Sequence, residues 1–135
     1  MIRFAIVLGL IFLAFDASSQ RANSPANIIT DVSVTEFKHL MDSLEGEVVV
    51  DLRTPEELQQ QGKIAGSLEI DYFGANYETG IEALDTSKVY LLYCASGGRS
   101  GETAELMKEM GFKKIYNLKE GFRGWAKQKM PVTKK

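Results

Sequence analysis

Val89-Tyr90-Leu91-Leu92-Tyr93 is a run of five apolar residues with no charge and no polar–apolar alternation. A run this short does not make a helix with a buried face, which needs about ten residues or more. A strand without alternation is covered on both faces, and burial on both faces is the mark of a parallel sheet between layers of helix. The chain is therefore expected to fold as an α/β structure, and 135 residues hold one such core.

The rest of the chain alternates strand and helix signals. Val48-Val49-Val50 is a second β-branched run. Ile28-Ile29-Thr30 reads as a short first strand, and further strands are expected over residues 67–70 and 115–118. Ser33 with Glu36 and Thr54 with Glu57 both match the capping box at a helix start, and Pro55 suits the first helical position. Phe37, Leu40 and Met41 follow the first box at helical spacing, and Gly62 is placed to end the second helix in a left-handed conformation. A third helix is expected over residues 100–110, with Ala104, Leu106, Met107 and Met110 inward and Gly111 ending it. Phe122, Trp125 and Ala126 mark a last short helix. Residues 72–88 are interrupted by Gly74, Asn76 and Gly80, so Ile81 and Leu84 indicate one or two helical turns at most.

The first residues have a different character. Arg3 precedes an apolar run over residues 4–15, and Ala17-Ser18-Ser19 supplies small residues before Gln20. That run is too short to span a bilayer as a helix, which takes roughly 20 residues. It has the form of an export signal over residues 1–19, followed by a polar, disordered lead over 20–27 and the domain over 28–132. The expected location is the periplasm or the medium, with no membrane association once the signal is removed. The formal charge of -2 shows no basic excess, which argues against nucleic acid as a partner.

Cys94 is the single cysteine, so no internal disulfide forms and no resolving thiol exists within the chain. A cysteine after an apolar strand is ordinarily a small core residue. The octet Cys94-Ala95-Ser96-Gly97-Gly98-Arg99-Ser100-Gly101 argues otherwise, because glycines, serines and an arginine are poor material for extending a core strand. Amides of a tight Gly-rich loop converge as an anion cradle, and the start of the following helix adds its dipole. Ala95, Ser96, Gly97, Gly98, Arg99 and Ser100 are thus the candidate binding residues, with Arg99 offering two parallel donors to an oxyanion. In such a cradle Cys94 ionises readily and attacks as thiolate. His39 is the only histidine and lies on the first helix, which leaves a Ser-His-Asp hydrolase without support. Asp51 and Arg53, after the second strand, are placed to line the mouth of the site but read rather as a structural ion pair or cap, while Glu102 and Glu105 sit where the helix dipole favours acids.

These residues carry a family resemblance. The run from Tyr93 to Ser100 resembles the active-site loop of rhodanese domains. Val50-Asp51-Leu52-Arg53-Thr54-Pro55-Glu56-Glu57 resembles the family's strand-to-helix signature, and Gly62-Lys63-Ile64-Ala65-Gly66-Ser67 resembles the turn after it. Tyr116-Asn117-Leu118, Gly121 and Gly124-Trp125 are similar to its closing motif. Lys63 and Ala65 depart from the family's His and Pro, and Arg99 is the only cation of a loop that carries more in some thiosulfate-using members. The resemblance implies a rhodanese-like α/β fold, a parallel five-stranded sheet flanked by short helices. It also implies a sulfurtransferase that moves a sulfane sulfur through a Cys94 persulfide. The donor would be a small sulfur-containing anion, thiosulfate or a persulfide, and the acceptor cyanide or a thiol, including a protein thiol. No metal or organic cofactor is implied. Arg99 stands five positions after Cys94, a smaller cradle than that of the related dual-specificity phosphatases. That count favours sulfur transfer over a phosphatase or arsenate reductase, and leaves a non-enzymatic persulfide carrier or docking module as the main alternative.

Overall fold

The computed structural model describes residues 27–134. The chain runs β1 (Ile29–Val32), α1 (Val34–Ser43), β2 (Val48–Asp51), α2 (Pro55–Gln61) and β3 (Leu68–Glu69). It continues through α3 (Tyr77–Glu82), β4 (Val89–Tyr93), α4 (Gly98–Glu109), β5 (Lys114–Leu118) and α5 (Gly121–Lys127). The expected signal over 1–19 and nearly all of the lead over 20–27 lie outside the described residues.

All five strands are parallel and lie in the order β1-β5-β4-β2-β3. The unalternating run is the central strand, paired with β5 on one side and β2 on the other. Its side chains feed two cores. Leu91 and Tyr93 join Val34, Phe37, Phe122 and Trp125 on one face, while Tyr90, Leu92 and Cys94 join Ala104, Met107 and Phe112 on the other. The period of two in a strand thus places Cys94 on the α4 side of the sheet.

Both capping boxes form. Ser33 Oγ accepts from the Glu36 amide at 3.2 Å while the Glu36 carboxylate accepts from the Ser33 amide at 2.8 Å. Thr54 and Glu57 repeat the arrangement at 3.3 and 2.8 Å. Gly62 does cap α2 with positive φ, but at ψ -169 it leaves the left-handed helical region. The extended turn lets residue 63 pair with Thr133, whose carbonyl a Cβ on Gly62 would meet at 2.7 Å. Lys63, a departure from the family pattern, donates to the Ser67 carbonyl and the Glu69 carboxylate, both at 2.9 Å.

Three sequence expectations shift. The strand over 67–70 shrinks to Leu68–Glu69, because it pairs with β2 alone at the sheet edge. Helix α4 begins at Gly98 instead of residue 100, and its buried stripe is Ser100, Thr103, Ala104 and Met107, with Leu106 and Met110 only partly buried. That stripe has helical spacing, but it admits two hydroxyls that find partners: Ser100 Oγ donates to the Gly97 carbonyl at 3.3 Å, and Thr103 Oγ1 bonds the Arg99 carbonyl at 2.8 Å and the Tyr77 hydroxyl at 2.7 Å. Ala126 is exposed on α5, whose inward residues are Phe122, Gly124 and Trp125. His39 lies exposed on α1, as its position indicated.

Candidate active site

The chain leaves β2 through α2 toward β3, and leaves β4 through α4 toward β5. The connections diverge between β2 and β4, so a crevice opens at the carboxyl ends of these two strands, the usual ligand position of an open α/β sheet. Cys94 directly follows β4 at this point. It is 1% exposed and its sulfur is ringed by donors. The Gly97 amide points at Sγ from 3.2 Å, and the Ser100 amide and hydroxyl each do so from 3.4 Å. Burial pushes the thiol pKa up, but hydrogen bonds from the Ser100 hydroxyl and from the amides of Ser100, Ser96 and Gly97 outweigh it and bring the pKa below the ordinary thiol value.

That direction has a testable consequence. The reactive thiolate is present above the Cys94 pKa and is lost as pH falls through it. The rate of alkylation by iodoacetamide is therefore expected to show its midpoint below that of a free thiol, about 8.5. A midpoint at or above the free-thiol value, measured by rate against pH, would contradict the cradle's effect.

Two close contacts hold the loop in shape. Gly97 has φ 93, and a Cβ there would lie 2.3 Å from the Lys119 carbonyl oxygen. Gly121, at φ 60, lets the turn into α5 press on the Ala95 carbonyl, 2.4 Å from where its Cβ would be. The amides of Phe122 and Arg123 then donate to the carbonyls of Cys94 and Ala95 at 2.8 and 3.0 Å. Asn117 at the end of β5 adds a longer bond, 3.4 Å, to the Gly97 carbonyl, and bonds Asp31 at 2.9 Å.

The candidate residues thus divide. Ser96, Gly97 and Ser100 direct donors at the sulfur; Ala95 anchors the loop through its carbonyl; exposed Gly98 is the first residue of α4. Arg99 faces the crevice, but its two parallel donors are engaged by Glu57, with Nη1 and Nη2 each 2.8 Å from a carboxylate oxygen. Glu57 was legible only as a capping residue. Its pairing with Arg99 joins positions 42 residues apart and has no local signature.

Asp51 and Arg53 lie beneath the crevice and are both fully buried. Arg53 Nη2 and Nε bond the two Asp51 oxygens at 2.7 and 3.0 Å, and the guanidinium sits 3.9 Å above the Phe122 ring centre. The Tyr93 hydroxyl donates to Asp51 and accepts from the Ile64 amide at 3.1 Å. Burial, then the Asp51 charge, pushes the Tyr93 phenol far above its usual range. This network ties the β2 end, the α2 end and the turn at residue 64 into one support for the site.

Comparison with known proteins decides the family. The Rhodanese-like domain family matches residues 33–128. The chain belongs to the rhodanese family. The Bacillus subtilis (strain 168) protein named Putative sulfur carrier protein YrkF is 32% identical over 107 residues, which cover 79% of this chain and 56% of that protein. A sulfurtransferase of Allochromatium vinosum is 23% identical over 106 residues, covering 78% of this chain and 96% of that one. This rhodanese-family chain therefore spans little more than half of the Bacillus protein and nearly all of the Allochromatium one. Among solved structures, the polysulfide-sulfur transferase homodimer of Wolinella succinogenes superposes with a TM-score of 0.68 at 22% identity, over 79% of this chain and 80% of its own. The five-stranded parallel sheet with flanking helices is the fold these relatives share, and the named relatives support a role in sulfur transfer.

Proposed function

We propose that this rhodanese-family protein is a sulfurtransferase that carries a sulfane sulfur as a persulfide on Cys94. The observation that carries this reading is the convergence of the Gly97 amide and the Ser100 amide and hydroxyl on one buried sulfur. Such a cradle stabilises a thiolate before transfer and the negative charge of a persulfide after it. The Cys94 thiolate attacks the outer sulfur of thiosulfate or of a persulfide. A new S–S bond forms on Cys94, the donor's S–S bond breaks, and its electron pair leaves on sulfite or on a thiolate. Cyanide or an acceptor thiolate then attacks the outer sulfur of the Cys94 persulfide and returns Cys94 as thiolate. Neither half-reaction consumes an external oxidant or reductant. The leader-like composition of residues 1–19 supports a location outside the cytoplasm, in the periplasm or the medium.

A second reading, a persulfide carrier that hands its sulfur to one partner, draws support from the name of the Bacillus relative. Intact-protein mass spectrometry separates the two. After reduction and exposure to thiosulfate or an organic persulfide, the protein is expected to gain the mass of one sulfur atom. Peptide mapping is expected to place it on Cys94, and cyanide to remove it. Multiple turnovers with cyanide or small thiols support the enzyme. A stable persulfide that small acceptors discharge only slowly supports the carrier. No sulfur gain from either donor refutes both.

A further inference from the structure

We propose that Glu57 is a specificity-determining residue of the site, cancelling the charge of Arg99 and so directing donor choice toward organic persulfides and away from the thiosulfate dianion. The inference rests on the sulfurtransferase reading above and concerns which donor that site prefers.

Arg99 is the only cation in the loop that cradles the sulfur. A thiolate attacking a dianion needs positive charge at the mouth of the site, and a free guanidinium with its paired donors would meet an oxyanion well. Here those donors already face both oxygens of Glu57 at 2.8 Å, and the pair is partly buried, with 19% and 25% of the two side chains exposed. The Arg99 bonds hold the Glu57 carboxyl at about 2, so the acid stays charged throughout the range in which Cys94 reacts. On its other side the guanidinium faces the ring of Phe73, 5.6 Å from its centre, an exposed aromatic that offers no charge. The next charged side chain of α4, Glu102, is acidic and accepts a hydrogen bond from the Tyr72 hydroxyl. Around Arg99 the rim therefore carries the Glu57 carboxylate bonded to it, the Phe73 ring beside it, and the Glu102 carboxylate bonded to Tyr72.

Charge at such a rim acts differently on the two donors. Thiosulfate brings two negative charges, whereas the persulfide of an uncharged thiol brings one at most. In the persulfide reaction Cys94–S⁻ attacks the terminal sulfur of R–S–SH, a new S–S bond forms, the donor's own S–S bond breaks, and R–S⁻ departs to be protonated by solvent. Cys94–S–SH remains and loses its proton to water, leaving the anion in the amide cradle. No step calls for a second cation.

Glu57→Gln is the informative variant, because glutamine keeps one acceptor for the Thr54 capping box while removing the charge and one of the two acceptors that face Arg99. The probes are thiosulfate and the persulfide of 2-mercaptoethanol, each assayed with cyanide as acceptor. Wild-type protein is expected to show the higher kcat/KM with the persulfide. In Glu57→Gln the ratio of thiosulfate to persulfide kcat/KM is expected to rise about tenfold, the scale of one charge at a partly shielded rim, and to do so through the KM for thiosulfate. A merely structural role would lower both donors together and leave the ratio unmoved, which would overturn the proposal. So would a wild-type preference for thiosulfate, a result read without any variant and one that leaves the sulfurtransferase reading standing. Absence of reaction with either donor would remove both readings.

Discussion

Gly97→Ala is expected to lower the kcat/KM for sulfur loading by about 100-fold or more, the loss seen when a preorganised donor is moved from a developing charge. The position has no slack. Its φ of 93 lies in a region that L residues rarely adopt, and a Cβ would stand 2.3 Å from the Lys119 carbonyl oxygen and 3.3 Å from that of Leu118. Retreat in the other direction is blocked, because the Phe122 and Arg123 amides tie the carbonyls of Cys94 and Ala95 to α5 at 2.8 and 3.0 Å. Relief of the clash must rotate the loop, and the Gly97 amide 3.2 Å from Sγ moves with it. Two readouts are expected to change together: sulfur uptake falls, and the alkylation midpoint of Cys94 rises because its thiolate has lost a donor. The stability cost is expected to be about 2 kcal/mol in urea unfolding, typical of one strained backbone position. Sulfur uptake at the wild-type rate would show that the loop tolerates rotation and that the cradle geometry is not what drives the reaction.

The largest loss of stability is expected from Asp51→Ala. Arg53 would then keep its guanidinium fully buried, with Gln61 Oε1 at 3.2 Å, the Gly62 carbonyl at 2.8 Å and the Phe122 and Tyr93 rings as its remaining neighbours, none of them a carboxylate. Burial opposes the Arg53 charge, and it is the Asp51 carboxylate that more than restores it. Removing one partner of a buried pair costs about 3–5 kcal/mol, because the other charge is left uncompensated. That is a large part of a total near 5–15 kcal/mol, and it corresponds to a fall in Tm of roughly 15 °C or more for a domain of this size. Thermal and urea unfolding measure it directly. Asp51→Leu combined with Arg53→Met is expected to recover most of the loss, since two apolar groups of similar volume need no pairing. A double variant as unstable as the single one would mean that the bonds from Asp51 to Tyr93 and to the Arg53 amide, not the charge balance, hold the network.

The acid side of the stability profile follows from the Glu57 pair. Its carboxyl is held at about 2 against an ordinary 4.5, so its contribution is complete above 4.5 and lost as pH falls toward 2. The pair is partly exposed and its contribution is correspondingly screened.

Much of this protein is determined by local sequence. An unalternating apolar run must be a doubly covered strand, and β4 is one, at the centre of a parallel sheet. The two capping boxes form from residues three apart and need nothing distant. The octet after Tyr93 marks the loop because its glycines and serines suit a turn whose amides converge, and at Gly97, with φ 93, a side chain has no room. What tertiary structure decides is where groups distant in sequence meet. Divergence of the chain between β2 and β4 brings α2 beside the loop, and only then does Glu57 meet Arg99 and turn a free cation into a neutral pair. The same packing puts the end of β5 and the start of α5 against Gly97 and Ala95, so that the loop's shape depends on carbonyls and amides more than twenty residues away. Spacing along a chain encodes local geometry, because helix and strand have fixed periods; the charge a side chain presents depends on which other elements the fold sets beside it.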